Sequence, residues 1–359
     1  MADTRAATGL TVQQWDDQFF TEYFQGNEFS ELYGTNENSV IQVKENLTKK
    51  KGDSVTFALV NRLTQAATTG SATLEGNEED MVSRSHKVTV DKRRHAVRTS
   101  EMEEQASAIG LRDAMKPMLQ NWGDENTRDL IITALGSING VAYASASEAN
   151  KDAWLADNAD RVLFGNAKAN NASNDHSAAL ANVDSTTDVL KRGSIDLMKR
   201  MATVASPKIR PVKDPGNGKR YYIVYAHPYA FRDLRSDLEG VLDDTTAAGE
   251  AARLFQGGDL MWAGCIIKEL LDMPIYSGVG NSSIDVAPVY LLGAQAVGYA
   301  IAKRWQSKTK EFDYGDKYGC AIDGIDGFEK LRFGTGTADT DDTKDNGVVT
   351  GYFACVADA

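Results

Sequence analysis

Any chemistry in this chain must come from few side chains. The four histidines, His86, His95, His176 and His227, are scattered, and none has the H-E-x-x-H spacing that sets two imidazoles on one helix face around zinc. Asp91 precedes His95 by four residues and Asp175 adjoins His176, as a carboxylate orienting an imidazole would, but neither pair has an evident third ligand. All four therefore read as solvated histidines of loops or ribbons, and no metal is assigned to them. The three cysteines, Cys265, Cys320 and Cys355, are widely spaced and form no C-x-x-C pair. They read as reduced, partly buried thiols rather than a zinc or redox centre.

Gly216-Asn217-Gly218-Lys219 resembles the end of a phosphate-binding loop. That loop also needs a glycine five residues before its second one and a Ser or Thr after the lysine, where this chain has Lys213 and Arg220. The stretch is read as a hairpin turn. The acidic run Asp339, Asp341, Asp342 and Asp345 invites calcium, yet an EF-hand begun at Asp342 would place Lys344 on a ligand position, where its charge opposes the cation. A solvated, flexible loop is expected there. There is no G-x-S-x-G element, and no cysteine and histidine pair by spacing. The reading is no catalytic residue, no cofactor site and no metal site, which disfavours an enzyme.

The elements around these residues belong to a chain of 359 residues with 42% hydrophobic and 25% charged content, ordinary for a globular protein. A net charge of −12 excludes a globally basic surface that would hold nucleic acid by counterion release, and suits an acidic soluble enzyme as well as a lining that does not stick to nucleic acid. The start, MADTRAATGL, lacks the basic and apolar regions of a signal peptide, so the chain is expected to stay in the cytoplasm. The longest apolar stretch, Ala287 to Ala302, is short for a membrane span and holds Gly293, Gln295 and Gly298, so it reads as buried strand and turn.

Residues 1–51 form a polar arm carrying Trp15, Phe19, Phe20, Tyr23, Phe24, Phe29 and Tyr33, with Phe20, Tyr23 and Phe24 at the spacing of one helix face. So much aromatic surface needs something to pack against, the chain's own body or a neighbour. Val55, Phe57 and Leu59 then alternate as in a half-exposed strand, and Val88 and Val90 do so within a returning strand, His86 to Arg98. Together these predict a long hairpin over 52–100 with a wide tip. Glu75, Glu78, Glu79 and Asp80 crowd that tip, whereas Arg84, Lys87, Lys92, Arg93, Arg94 and Arg98 line the return. An exposed two-stranded ribbon is only marginally stable alone, and these charges either solvate it or seat it on another subunit.

From Glu101 to Leu135 the period becomes helical, with a Ser100/Glu103 capping box at its start and a kink or division expected at Pro117 or Gly123. Asn139 to Asp184 reads as irregular with a short helix or strand at Trp154 to Phe164, and a helix is expected over Asp188 to Met201, capped by Asp184, Ser185 or Thr186. Tyr221 to Tyr225 is the clearest buried strand, followed by a helix over Tyr229 to Leu238 after Pro228. Strands dominate thereafter, and VVTGYFACV is expected to close a sheet.

This order, with GDSVTF at Gly52 to Phe57, VYAHPYAFRDLRSD at Val224 to Asp237 and VYLLGAQAVGYAIAKRW at Val289 to Trp305, resembles tailed-phage major capsid proteins of the Hong Kong 97 type, in particular the N4-like phage branch. The resemblance implies an α+β fold with an N-terminal arm over 1–51 and an extended loop over 52–100. It further implies a peripheral domain with its spine helix over 101–212, an axial domain over 213–302 and a peripheral return with the last strand over 303–359. It implies a shell subunit of the virion capsid that associates with itself in hexamers and pentamers and encloses double-stranded DNA without reading its sequence. Portal and scaffolding or decoration proteins are implied as partners, with no membrane and no cofactor. Contacts between subunits are expected at Phe20, Tyr23 and Phe24 of the arm, and at Glu78, Glu79, Arg84, Lys87, Lys92, Arg93 and Arg94 of the loop. Lys87 and Lys92 lie on that loop, but no asparagine partner or glutamate can be read for an isopeptide bond, and none is inferred. A cellular nanocompartment shell sharing the fold, and more remotely a soluble cytoplasmic hydrolase, are the rival readings.

Overall fold

Strand Arg220–Ala226, which contains the expected Tyr221 to Tyr225 run, lies inside the largest sheet of the computed structural model. The structure describes residues 26–45, 47, 52–107, 110–214, 218–247, 255–256, 259–336 and 338–358. It divides into two compact units: a larger one of Glu28–Asp91, Arg128–Lys303 and Asp326–Ala359, and a smaller one that includes Lys92–Thr127 and Arg304–Ile325.

In the larger unit the eight-stranded sheet runs in the order Val162–Phe164, Val348–Ala354, Val286–Leu292, Arg220–Ala226, Cys265–Glu269, Asp259–Trp262, Phe255–Gln256, with Val212–Lys213 paired to Arg220–Ala226. Its central strands are apolar on both sides because both sides are covered, which is why they read as unbroken hydrophobic runs. Val224, Leu291, Val349 and Phe353 pack with Ile195, Met198 and Met201 of the helix Arg192–Val204. Their neighbours in sequence, Ile223, Tyr225, Tyr290, Leu292 and Val348, pack instead with Ile131 and Leu135 and with Phe29. The two-residue period of a strand thus feeds two separate cores.

Several expectations shift. The terminal strand Val348–Ala354 does not close the sheet. It lies between Val162–Phe164 and Val286–Leu292, and Val162–Phe164 forms that edge. The helix expected at Asp188 begins at Arg192, where the Lys191 N–H donates to Ser194 Oγ at 3.0 Å. Asp184 instead closes its own turn, accepting from the N–H groups of Thr186 and Thr187 at 2.8 and 2.6 Å. The helix after Pro228 runs to Ala247, beyond the expected end. The region read as irregular holds two helices, Glu148–Asp157 and His176–Ala181, whose Trp154, Leu155 and Leu180 build a third core with Val162, Phe164 and Tyr352. Within the acidic run read as a solvated, flexible loop, Thr343–Asp345 pairs antiparallel with Arg332–Gly334.

Among the described residues the smaller unit has one small core. Strand Asp91–Ser100 lies beside Lys317–Lys330, which neighbours Val297–Phe312. Met115 and Leu119 of the helix Leu111–Leu135 pack on Cys320 and Ile322, bordered by Trp122, Trp305 and Tyr318. The capping box is formed: Ser100 Oγ accepts from the Glu103 N–H at 3.3 Å, and Glu103 Oε2 accepts from the Ser100 N–H at 3.2 Å. The expected division of the helix falls between Ala106 and Leu111, however, and Pro117 sits inside an unbroken helix without ending it. No helix among the described residues is long and apolar enough to cross a membrane.

Candidate assembly surface

The ribbon forms as its alternation predicts: Ser54–Val60 pairs antiparallel with Ser83–Thr89, Ser54 opposite Thr89 and Val60 opposite Ser83. One face is apolar and rooted. Val55, Phe57 and Val88 are buried against Ala300, Leu331 and Phe333. A Cβ on Gly298 would come within 2.8 Å of Leu331 and 3.1 Å of the Phe57 ring, so only glycine lets the ribbon approach this closely. Lys44 Nζ lies 4.4 Å from the Phe57 ring centroid and donates to the Thr56 carbonyl at 3.0 Å.

Polar contacts hold the root at two further points. Glu329 accepts from the Thr89 N–H and hydroxyl at 3.2 and 3.0 Å, and His86 Nε2 stands 3.3 Å from its other oxygen. Burial pushes the Glu329 carboxyl up, but the hydrogen bonds from His86 and Thr89 outweigh it and hold the group below its ordinary range. On the other side Arg84 donates to the Gly336 carbonyl and pairs with Asp339, which also accepts from Ser85 Oγ at 2.6 Å.

Past Asn61 and Val82 the strands part and the tip becomes exposed. Leu63, Leu74 and Met81 stand open, Leu74 at 64% and Met81 at 75% exposure, although they are large apolar side chains. The tip holds its shape through its own acids. Glu79 accepts from the N–H groups of Thr64 and Gln65 at 2.7 and 2.8 Å, which keep its carboxyl below the usual range, and Glu78 accepts from the Gly76 N–H.

The expected contact residues therefore separate. Arg84 and Glu79 are engaged within their own chain, and Lys87 faces solvent at 59% exposure with Asp53 at 3.9 Å. Lys92, Arg93 and Arg94 leave the ribbon altogether. The returning strand is two strands, and these residues lie on Asp91–Ser100 in the smaller unit. The reason is pairing: the ribbon ladder ends at Thr89, and the chain beyond it is taken up by Lys317–Lys330. Phe20, Tyr23 and Phe24 lie outside the described residues.

The histidines are not the solvated set expected. His86, His176 and His227 are buried; His95 alone is exposed, its ring stacked 4.6 Å from Trp122. His176 is caged by Tyr143, Phe164 and Tyr352 at 5.4–5.7 Å, and burial pushes its imidazole down to about 4, with Lys151 acting in the same direction. Asp345, expected in a flexible loop, is also buried. It pairs with the buried Lys330 at 2.6 Å and accepts from Trp154 Nε1 at 3.0 Å, while its own N–H donates to Asn158. Sequence reading missed both because their partners are more than a hundred residues away or on other elements. On either side of the glycine-rich stretch Val212–Lys213 and Arg220–Ala226 pair antiparallel, and the Asp214 N–H donates to the Lys219 carbonyl at 2.9 Å. Glu148, Asp152 and Asp175 offer oxygens close together, but Asp152 accepts from the His176 N–H, Asp175 accepts from the Ala178 N–H, and Glu148 pairs with Lys151 at 3.7 Å. The cysteines are free and buried.

Comparison with known proteins bears on what such a surface serves. Residues 3–357 match a family model described as phage capsid protein. The major capsid protein of Pseudomonas phage KPP25 is 26% identical over 379 residues, covering 96% of each chain. Among solved structures, a chain of the cyanophage Pam1 capsid asymmetric unit superposes with a TM-score of 0.87 at 29% identity over 100% of both chains. A chain of the capsid of Ralstonia phage GP4 does so at 0.78 and 23% identity, again over 100% of both, which is a likeness of fold.

Proposed function

The chain belongs to the phage capsid protein family, and from that premise we propose how its surfaces build a shell. It has the α+β fold of the Hong Kong 97 type, and its role is that of a capsid shell subunit, a structural protein and not an enzyme, located in the virion capsid. It associates with its own copies. The finer reading is that these copies form hexamers and pentamers of a closed icosahedral shell around double-stranded DNA, joined by a portal and by scaffolding or decoration proteins. The net charge of −12 supports a lining that releases its DNA, because it offers few sites for counterion release.

The observation that carries the reading is the contrast along the ribbon. Its root is buried on its own body, whereas Leu63, Leu74 and Met81 at the tip are exposed on a two-stranded segment too small to be stable alone. Residues 52–90 then act as the extended loop, shorter than the 52–100 expected because Asp91–Ser100 pairs elsewhere, with the tip completed by a neighbouring subunit. The helices over Glu101 to Leu135 act as the spine, and the eight-stranded sheet contributes the axial domain. Phe20, Tyr23 and Phe24 are proposed to reach a neighbour as well, and Lys87, Lys92, Arg93, Arg94 and Glu78 to meet one.

The first test is negative-stain electron microscopy of the purified protein after size exclusion. Closed shells, tubes, or rings of five or six subunits are expected. A uniform small oligomer that never assembles, even with a scaffolding protein co-expressed, would refute the assembly reading. An enclosed cargo enzyme in place of DNA would favour the nanocompartment instead.

A further inference from the structure

We infer that residues 355–358, which follow the strand Val348–Ala354, are latched to the first turn of the helix Pro228–Ala247 by the neutral imidazole of His227, and that a proton on this ring opens the latch.

The latch uses the donors that a helix start leaves over. His227 stands just ahead of the helix, and its carbonyl takes the Phe231 N–H at 2.9 Å. Pro228 has no N–H to place, which leaves those of Tyr229 and Ala230. The Tyr229 N–H donates to His227 Nδ1 at 3.2 Å, and the Ala230 N–H bonds to the sulfur of Cys355. That sulfur lies 3.5 Å from the same Nδ1. Because Nδ1 offers its lone pair to Tyr229, the neutral ring carries its proton on Nε2, and the thiol S–H points to Nδ1 as a second donor. Two buried side chains 128 positions apart thus cap one helix start between them. The rest of the segment is tied down beside them. The Cys355 N–H donates to the Asp285 carbonyl at 2.9 Å, and Arg232 donates to the Val356 carbonyl at 3.1 Å and pairs with Asp358.

A proton on His227 reverses the sense of Nδ1, which then turns a donor towards the Tyr229 N–H and the thiol. Burial pushes the imidazole below its ordinary range, so the ring resists that proton while the latch is shut. Once the segment lifts, a solvated ring takes the proton up below about pH 6.5. The latch is therefore at full strength above that pH and weakens as pH falls, the open-to-shut ratio rising by at most about tenfold per pH unit for one proton. The groups facing the ring and the sulfur are Tyr229, Arg232 and Asp233 of the helix, Asp285 ahead of the strand Val286–Leu292, and Asp358 of the segment itself. A window from pH 7.5 to 5.5 isolates the imidazole, because carboxylates, phenols and guanidinium groups ordinarily titrate outside it.

Cys355 is its own reporter. The unassembled full chain is pulsed with N-ethylmaleimide, alkylation of each cysteine is read by peptide mass spectrometry, and each rate is divided by that of the urea-unfolded chain at the same pH to cancel the thiolate fraction. Cys355 should react about fivefold or more faster at pH 5.5 than at 7.5. At both pH values it should outpace Cys265 and Cys320, whose exposure requires their cores to open. His227→Gln, whose amide oxygen can accept from Tyr229 but takes no proton, should make the Cys355 rate independent of pH. Arg232→Ala should raise that rate at both pH values and keep their ratio, since it loosens the segment without touching the titration. The proposal is overturned if Cys355 shows no rise, if the rise survives in His227→Gln, or if Cys355 reacts no faster than the other two cysteines, which would mean that the segment opens only with the whole unit.

Discussion

The two units differ in how many sides of their sheets are covered. In the larger, alternate residues of Arg220–Ala226 and Val286–Leu292 enter two cores, and a third forms around Trp154 and Tyr352. In the smaller, one side of the sheet meets Met115 and Leu119, and among the described residues the strands also carry the exposed Lys92, Arg94, Lys308 and Lys310. The difference teaches where stability and assembly reside. A sheet buried on both faces spends its side chains on folding, whereas one buried on a single face keeps a surface whose chemistry can be chosen for a partner.

That contrast can be broken most sharply in the larger unit. Asp345→Ala strands the buried Lys330 and removes the acceptor of Trp154 Nε1, so a loss of about 3–5 kcal/mol is expected in urea unfolding of the unassembled protein. In the small core, Leu119→Ala should cost about 2–3 kcal/mol, at the lower end for a buried leucine because fewer neighbours surround the cavity. An unchanged midpoint in the first case, or a larger shift in the second, would undo the ranking.

Acid sharpens the comparison further. The unfolded chain takes up a proton at His176 below about pH 6.5, while the folded imidazole stays neutral down to about 4. Stability therefore falls as pH drops from 6.5 towards 4, by about 2 kcal/mol at pH 5. His176→Phe, which keeps an aromatic ring among Tyr143, Phe164 and Tyr352, should flatten that part of the thermal midpoint's pH profile. An equally steep profile in the variant would locate the titration elsewhere. Ser100→Ala should remove about 1 kcal/mol by deleting the cap of the helix Glu101–Ala106, read by denaturant unfolding. The smallest effect belongs to exposed charge in the smaller unit: Lys92→Ala should change fold stability by no more than about 0.5 kcal/mol, read by denaturant unfolding.

Legibility followed the range of the contacts. Ribbon register could be read because Val55, Phe57 and Val88 alternate locally, and the Ser100 cap because its partner is three residues away. Val90 gave no sign that the returning strand would split, since the split is made by a strand more than two hundred residues later. Burial of His176 was equally invisible: nothing beside it in sequence announces Phe164 and Tyr352 around its ring. The acidic run from Asp339 to Asp345 divides for the same reason, Asp339 going to Arg84 and Ser85 and Asp345 to Lys330 and Trp154.

By itself the sequence determined the local periods, the cap and the order of elements, because each depends on residues within a few turns or pleats of one another. Only the tertiary structure decided which side of each sheet is covered, which histidines and carboxylates are buried, and that Lys92 and Arg94 leave the ribbon for the smaller unit. Those outcomes depend on strand pairing across the chain, where a shift of one residue would exchange the buried face for the open one.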